Sequence, residues 1–245
     1  MTHRPLLHLT SVVSTMDVAR HLLNEGDTET QMVLADEQTA ARGRHNRPWM
    51  TFGSPYSLMC TWIFRPAQGP HLPLIIALGL YEALEPLVGE GELRIKWPND
   101  ILLNGRKLAG ILCENVGTRA STVGIGLNIR APQNMPENFI GTFLNAEILP
   151  EKLAESINTC LQPLVALYSQ QGWTQTLHNS YVQRCATIGK PVHWIRNTEG
   201  PNSSTEKTEL TGLVRGLTPN GHLELVGDDG TVHVIHSGEI FDKRS

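Results

Sequence analysis

LRIKWPNDILLNGRKLAGILCENVGTRASTVGIGLNI at residues 93–129 decides the fold, because it reads as consecutive strands. LRIKW (93–97), ILL (101–103), KLAGILCEN (107–115) and STVGIGLNI (121–129) are short apolar or alternating runs divided by turn residues. Asn104-Gly105 suits a tight hairpin, since both residues tolerate positive φ. Such a meander brings Lys96, Asp100 and Lys107 close together. Gly110 and Gly124 let strand backbones approach a ligand. The GIG at 124–126 is not a dinucleotide fingerprint, because the third glycine and the following helix are missing.

Working outward toward the N-terminus, ARGRHNRPW at 41–49 places Arg42, Arg44 and Arg47 on a segment without helical or strand periodicity. Guanidinium forks bind phosphate and carboxylate oxygens bidentately, so the first reading is a mobile loop that closes over an anion. QMVLA (31–35) and YSLMCTWIFRP (56–66) flank it as strands. MDVARHLLNEG (16–26) reads as a short helix with Val18, Leu22 and Leu23 on one face and Gly26 as its stop; Ser14 and Asp17 have capping-box spacing. LPLIIALGLYEALEPLV (72–88) is apolar at helical spacing, with Gly79 as its weak point.

Toward the C-terminus the pattern is helical from Pro150 to about Tyr181, with an interruption expected at Pro163. TIGKPVHWI, ELTGLVRGL, GHLELVG and TVHVIHSGEI then read as the strands of a small β-barrel. A boundary near residue 187 divides the chain into 1–186 and 187–245, and the polar stretch at 197–207 is expected to be a mobile loop. His233 and His236, three apart on a strand, face opposite sides and make a poor metal pair.

Composition bounds the function classes. The 245 residues are 40% hydrophobic and 18% charged, enough for one large core or a large domain with a small one. A formal net charge of −4 argues against general polyanion binding. No run has the apolar length of a membrane helix, and MTHRPLLHL lacks the apolar region of a signal peptide, so the cytoplasm is the expected compartment. Cys60, Cys113, Cys160 and Cys185 are scattered, which argues against a zinc site or a disulfide framework. Cys113 reads as a small core residue.

In this order the motifs resemble the biotin protein ligases. The family's arginine-loop pattern GRGRxxRxW is matched except at its first position, Ala41, and KWPND and KLAGIL match without change. STVGIGLNI, ADEQTA (35–40) and SGEI (237–240) add three further blocks, and the resemblance covers nearly the whole chain. There are two departures. Met16 stands where the family has asparagine after Ser-Thr, and Ala41 replaces a glycine, at a cost of roughly 1 kcal/mol if that position needs positive φ. The implied fold is α+β, a mixed sheet with helices on one side, akin to class II aminoacyl-tRNA synthetase cores, followed by an SH3-like barrel. Only 13 residues precede Ser14, too few for the DNA-binding domain of many relatives, so a ligase-only form without specific DNA binding is expected.

The resemblance implies ATP and magnesium, biotin as substrate, and a biotin carboxyl carrier domain as partner; monomer and homodimer stay open. It implies Lys107, Asp100 and Arg44 as catalytic. Biotin falls to Ser14, Thr15, Gln38, Arg42, Gly43, Arg44, Lys107, Gly110 and Gly124. The adenylate falls to Arg44, Arg47, Trp49, Lys96, Asn99, Asp100, Lys107 and Asn128, with Trp49 offering a face to adenine. Asp100 has two candidate tasks, holding magnesium or accepting the proton of the carrier lysine, and Asn99 orients it. Bland rivals stand beside these: Ser14 as a helix cap, Lys107 as a strand-edge lysine, the arginines as a solvated loop. Rival functions are a lipoate or octanoate ligase or transferase of the same fold, and a noncatalytic biotin sensor, against which the retention of both Lys107 and Asp100 argues.

Overall fold

The computed structural model describes residues 6–199 and 205–242. β1 (Leu6–Val12), β2 (Met32–Gln38), β3 (Ser57–Phe64), β4 (Leu93–Lys96), β5 (Asp100–Leu103), β6 (Arg106–Val116) and β7 (Ala120–Asn128) form one sheet in the order β1-β2-β3-β7-β6-β5-β4. β1 and β2 run parallel and every other neighbouring pair is antiparallel. The meander of β4 to β7 follows the sequence reading, with Asn104 at φ 51° and Gly105 at φ 72° in its turn. β1 escaped that reading. It is a half-exposed edge strand, so its apolar residues do not alternate cleanly.

Strand alternation sorts the two faces. Met32 and Leu34 of β2, Cys60 and Trp62 of β3, and Val123 and Ile125 of β7 point into the main core. There they meet α2 (Leu72–Leu84) and α3 (Pro150–Gln171). Val33 and Ile63, one residue out of phase, pack on the opposite face against Ala19 and Leu23 of α1 (Thr15–Asn24). The helices are therefore not confined to one side of the sheet. Gly79 lets α2 and α3 approach closely, since an added Cβ would lie 2.7 Å from Leu161 Cδ2. The break expected at Pro163 does not occur. α3 runs through it, held by buried Leu161, Val165 and Tyr168, and stops at Gly172 with φ 71°. α4 (Gln175–Arg184) follows, capped by the Thr174 hydroxyl accepting from the Leu177 N–H.

A second sheet is wholly antiparallel: β8 (Pro191–Glu199), β9 (Thr205–Leu217), β10 (Leu223–Gly227), β11 (Val232–Ile235) and β12 (Glu239–Asp242), in the order β11-β10-β9-β8-β12. TVHVIHSGEI thus divides into two strands rather than one. The stretch 197–207, expected as a loop, contributes paired strand residues at both ends, Asn197 with Lys207 and Glu199 with Thr205, while 200–204 lie outside the described residues. The hydrophobic core continues from the first sheet into the second, through Val192, Trp194, Val214, Leu223, Leu225 and Ile240. The turn between β9 and β10 docks on the first unit: Trp97 Nε1 donates to Gly221 O at 3.1 Å, His71 Nε2 to Asn220 O at 2.9 Å and His178 Nε2 to Thr218 O at 3.1 Å.

Candidate active site

α1 covers only one end of its face of the sheet. Over the rest, Thr61, Gly110, Gly124, Gly126 and Asn128 lie on that face beside the larger Met59 and Leu112, and the run of glycines leaves space above the strands. The result is a cleft of about 1360 Å³, walled by α1, the arginine segment, the 138–141 segment and β12. That volume exceeds the several hundred Å³ of a usual single-ligand site, and it suits two substrates side by side.

At the inner end, the Thr15 N–H donates to Gln38 Oε1 at 2.7 Å and the Thr15 hydroxyl to the same oxygen at 3.1 Å, while the Thr61 hydroxyl donates to Thr15 Oγ1 at 2.8 Å. This relay fixes the amide oxygen of Gln38, whose side chain lines the cleft. Ser14 occupies the N-cap position but does not cap; its hydroxyl accepts from Arg42 Nη1 at 3.1 Å. Asp17 likewise does not close a capping box. It takes the Arg42 fork at 3.0 and 2.8 Å, beside the Arg20–Glu114 pair. Arg42 thus anchors the arginine segment to α1 by an ion pair within the protein.

The arginine segment is a closed hairpin. Arg42 and Pro48 form a bridge, the Gly43 N–H donates to Arg47 O at 2.8 Å, and the Trp49 N–H to Ala41 O at 2.9 Å. Its tip is one 3₁₀ turn, Arg44–Asn46, with His45 at φ 56° and Asn46 at φ 54°. Ala41 is not among the positive-φ residues, so replacing a glycine there carries no backbone penalty. Trp49 lies on the glycine strip: a Cβ at Gly126 would sit 2.5 Å from its Nε1, and one at Gly110 3.0 Å from its Cζ3. Its Nε1 is buried without a hydrogen-bond partner among the described residues, and Lys107 Nζ stands 5.1 Å above the ring centroid.

Lys107 and Asp100 meet at 2.8 Å across β5 and β6, with Lys107 39% exposed toward the cleft. Arg44 Nη1 donates to Asn99 Oδ1 at 3.3 Å, and Asn99 Nδ2 donates to Ile111 O at 2.7 Å. Asn99 therefore orients Arg44 rather than Asp100. Burial lowers the pKa of Arg44, Asp100 and Glu239 oppose that shift, and Arg47 reinforces it. Arg47 pairs with Glu239 of β12, which joins the loop to the second sheet. Lys96, opposite Asp100 in the β4–β5 register, lines the cleft and has no ion pair among the described residues. Asn128 Nδ2 donates to Thr142 O at 3.1 Å, and its Oδ1 is buried without a hydrogen-bond partner among the described residues.

All the residues expected at the site therefore line or border one cleft. Those missed were Thr61, Asp17, Glu114 and Glu239, and the aromatic trio Phe52, Phe139 and Phe143, whose centroids lie 5.0–5.7 Å apart beside it. Thr61 carried a signal as a polar residue inside an apolar strand, whereas Asp17 was read only for its capping-box spacing and Glu239 only as part of SGEI. Among the described residues no group of three or more His, Cys, Asp or Glu can hold a metal. Asp100 is the carboxylate beside the lysine, which fits magnesium bound mainly through phosphates and water rather than a protein cage. The four cysteines are free; burial pushes the Cys60 and Cys113 thiols up, so they are inert, although Cys113 is only partly buried by surface area. His236 lies beyond β11 and its ring sits 4.1 Å from that of His222.

Residues 9–129 match the Biotin/lipoate A/B protein ligase family, and residues 204–241 match the Biotin protein ligase C terminal domain. A biotin--[acetyl-CoA-carboxylase] ligase of Paracoccus denitrificans is 31% identical over 236 residues, 89% of this chain and 93% of that protein. The bifunctional ligase/repressor BirA of Bacillus subtilis is 35% identical over 245 residues, 93% of this chain and 70% of that one. In fold, the Aquifex aeolicus biotin protein ligase in complex with biotin and ATP superposes with a TM-score of 0.79 at 24% identity, over 98% of this chain and 99% of that. The Leishmania major ligase in complex with biotinyl-5-AMP gives 0.62 at 28% identity, over 94% and 98%. With relatives above 30% identity along most of the chain and a match to the C-terminal domain as well, the chain belongs to the biotin protein ligases.

Proposed function

We propose that this protein activates biotin with ATP and transfers it to one lysine of a carboxylase's biotin carrier domain. The observation that carries the reading is the Lys107–Asp100 pair at 2.8 Å, set between the hydroxyl–amide relay of Thr15 and Gln38 and the Arg44–Arg47 hairpin. One end of the cleft offers donors to a ureido head, and the other offers fixed cations to phosphates. Between them is the point where the two reacting anions must meet.

Biotin's carboxylate is a poor electrophile, so it must first acquire a leaving group. A carboxylate oxygen attacks the α-phosphorus, the bond to pyrophosphate breaks, and the mixed anhydride remains. Lys107 holds positive charge where both anions converge, and preorganised charge of this kind in a water-excluding site stabilises the transition state strongly. Arg44, fixed by Asn99, and Arg47 hold phosphate oxygens, while Lys96 and Asn128 face the nucleotide side. The neutral carrier lysine then attacks the acyl carbon, the C–O bond to AMP breaks, and the amine loses a proton. Asp100 is placed to take that proton or, with magnesium bound through the ATP phosphates, to supply its protein carboxylate. Residues 1–186 carry this chemistry in our division of the chain, and 187–245 supply Glu239 to the loop.

The test is a mass shift. Incubation with ATP, magnesium, a biotin carrier domain and either biotin or lipoate is expected to add the mass of one biotinyl group, biotin less one water, to one carrier lysine. Transfer of lipoate in preference to biotin would replace this reading with that of a lipoate ligase, and tight biotin binding without transfer would make the protein a sensor.

A further inference from the structure

Met16 sits at the inner end of the cleft, and the chemistry above gives it no task. It lies in the first turn of α1, is 4% exposed, and reaches across to β7. A Cβ added to Gly124 would lie 2.9 Å from Met16 Sδ and 3.0 Å from its Cγ. The next atom from the same point is Thr61 Oγ1 at 3.8 Å, the start of the hydroxyl relay through Thr15 to Gln38. Thr61 and Gly124 are register partners on β3 and β7. A thioether and a polar relay thus converge on one glycine. The relay selects a ligand by hydrogen bonds. The thioether has no comparable donor or acceptor and selects by the space it leaves, and methionine is the side chain best able to fill an irregular notch.

We propose that Met16 and Gly124 form a specificity-determining pair that sets the size of head group admitted at the inner end of the cleft, independently of the hydrogen bonds from Thr15 and Gln38. The proposal rests on the biotin-ligase reading. Because the two residues share one volume, their substitutions must couple. Gly124→Ala pushes Met16 into the ligand's space, and shortening Met16 makes room again.

The experiment is a double-mutant cycle read by acid-dependent ATP–pyrophosphate exchange, with melting curves to confirm folding. Gly124→Ala is expected to raise the KM for biotin by about tenfold or more, on the scale of one misplaced methyl group in a pocket, with the KM for ATP unchanged. Adding Met16→Ala should bring the biotin KM back to within about threefold of the parent, whereas Met16→Leu, which keeps the volume, should not. Met16→Ala alone should raise kcat/KM for biotin sulfone relative to biotin by about tenfold. A harmless Gly124→Ala, a defect that Met16→Ala fails to relieve, or a KM for ATP that rises in parallel would each overturn the proposal. Exchange with lipoate or octanoate but not biotin overturns the biotin reading alone, and the cycle is then read on that acid. Exchange with none of them overturns both.

Discussion

At the scale of single residues, the site works through charges whose partners are already chosen. Lys107 touches Asp100 and stands over Trp49, so Lys107→Ala removes the cation between two anions and leaves the sheet intact. Adenylate formation should fall by about two orders of magnitude or more, as for loss of one preorganised contact, with an unchanged circular dichroism spectrum. Near-normal exchange by the folded variant would remove Lys107 from the mechanism. Arg44 is held by Asn99 rather than by Lys107 or Asp100, and we propose that its task is retention of the adenylate. Loss of a charge-assisted contact costs roughly 1.5–3 kcal/mol, so Arg44→Gly should still make adenylate but let it escape. Albumin present in the reaction should then be labelled on its lysines. A variant that forms adenylate and labels albumin no more than the parent excludes this role. These residues were legible in the sequence because each sits in a fixed motif. The acids that meet the arginines were not legible as their partners: Asp17 read as a capping residue, Glu239 only as part of SGEI and Glu114 as a strand residue, and nothing in local spacing marks a contact spanning 192 positions, as between Arg47 and Glu239.

At the scale of elements, the arginine hairpin combines a rigid base with a strained tip. The bridge between Arg42 and Pro48 closes it, while His45 and Asn46 both hold positive φ, a conformation that asparagine and histidine tolerate better than most residues. Among the described residues, the Arg47–Glu239 ion pair ties that end of the hairpin to the second sheet. Glu239→Gln is therefore expected to speed proteolytic cleavage between Arg44 and Arg47 in the free protein, with protection restored by ATP and biotin together. Cleavage at the parental rate would show that the base alone orders the loop. The elements that the sequence revealed are those with strong local signals, namely the meander, α1, α2 and the strands of the second sheet. β1 stayed hidden because an exposed edge strand lacks clean alternation, and α3 seemed broken because Pro163 was read without the packing of Leu161 and Val165 that carries the helix through it.

At the scale of the whole molecule, the two sheets are joined through one core and one turn. His71 and His178 donate to carbonyls of the β9–β10 turn, and His222, at the end of that turn, faces His236 and His71. Burial first, then these two neighbours, hold the His222 pKa below its ordinary value of 6.5. The unfolded chain therefore binds more protons there than the folded one, and stability is lost as pH falls below about 6.5 toward the folded-state pKa. The melting temperature should drop between pH 7 and pH 5.5, and His222→Asn should flatten that slope; an identical slope in the variant would place the effect elsewhere. Charge is balanced internally on the same scale. Arg42, Arg47 and Lys107 each reach the cleft already matched, by Asp17, Glu239 and Asp100. Between turnovers the site carries its own counter-ions, and a polyphosphate entering it exchanges one set of anions for another. Seen from beyond a Debye length of about 8 Å, such matched pairs are dipoles rather than bare charges. Capture of the nucleotide then depends on short-range fit more than on a long-range field from Arg42, Arg47 and Lys107.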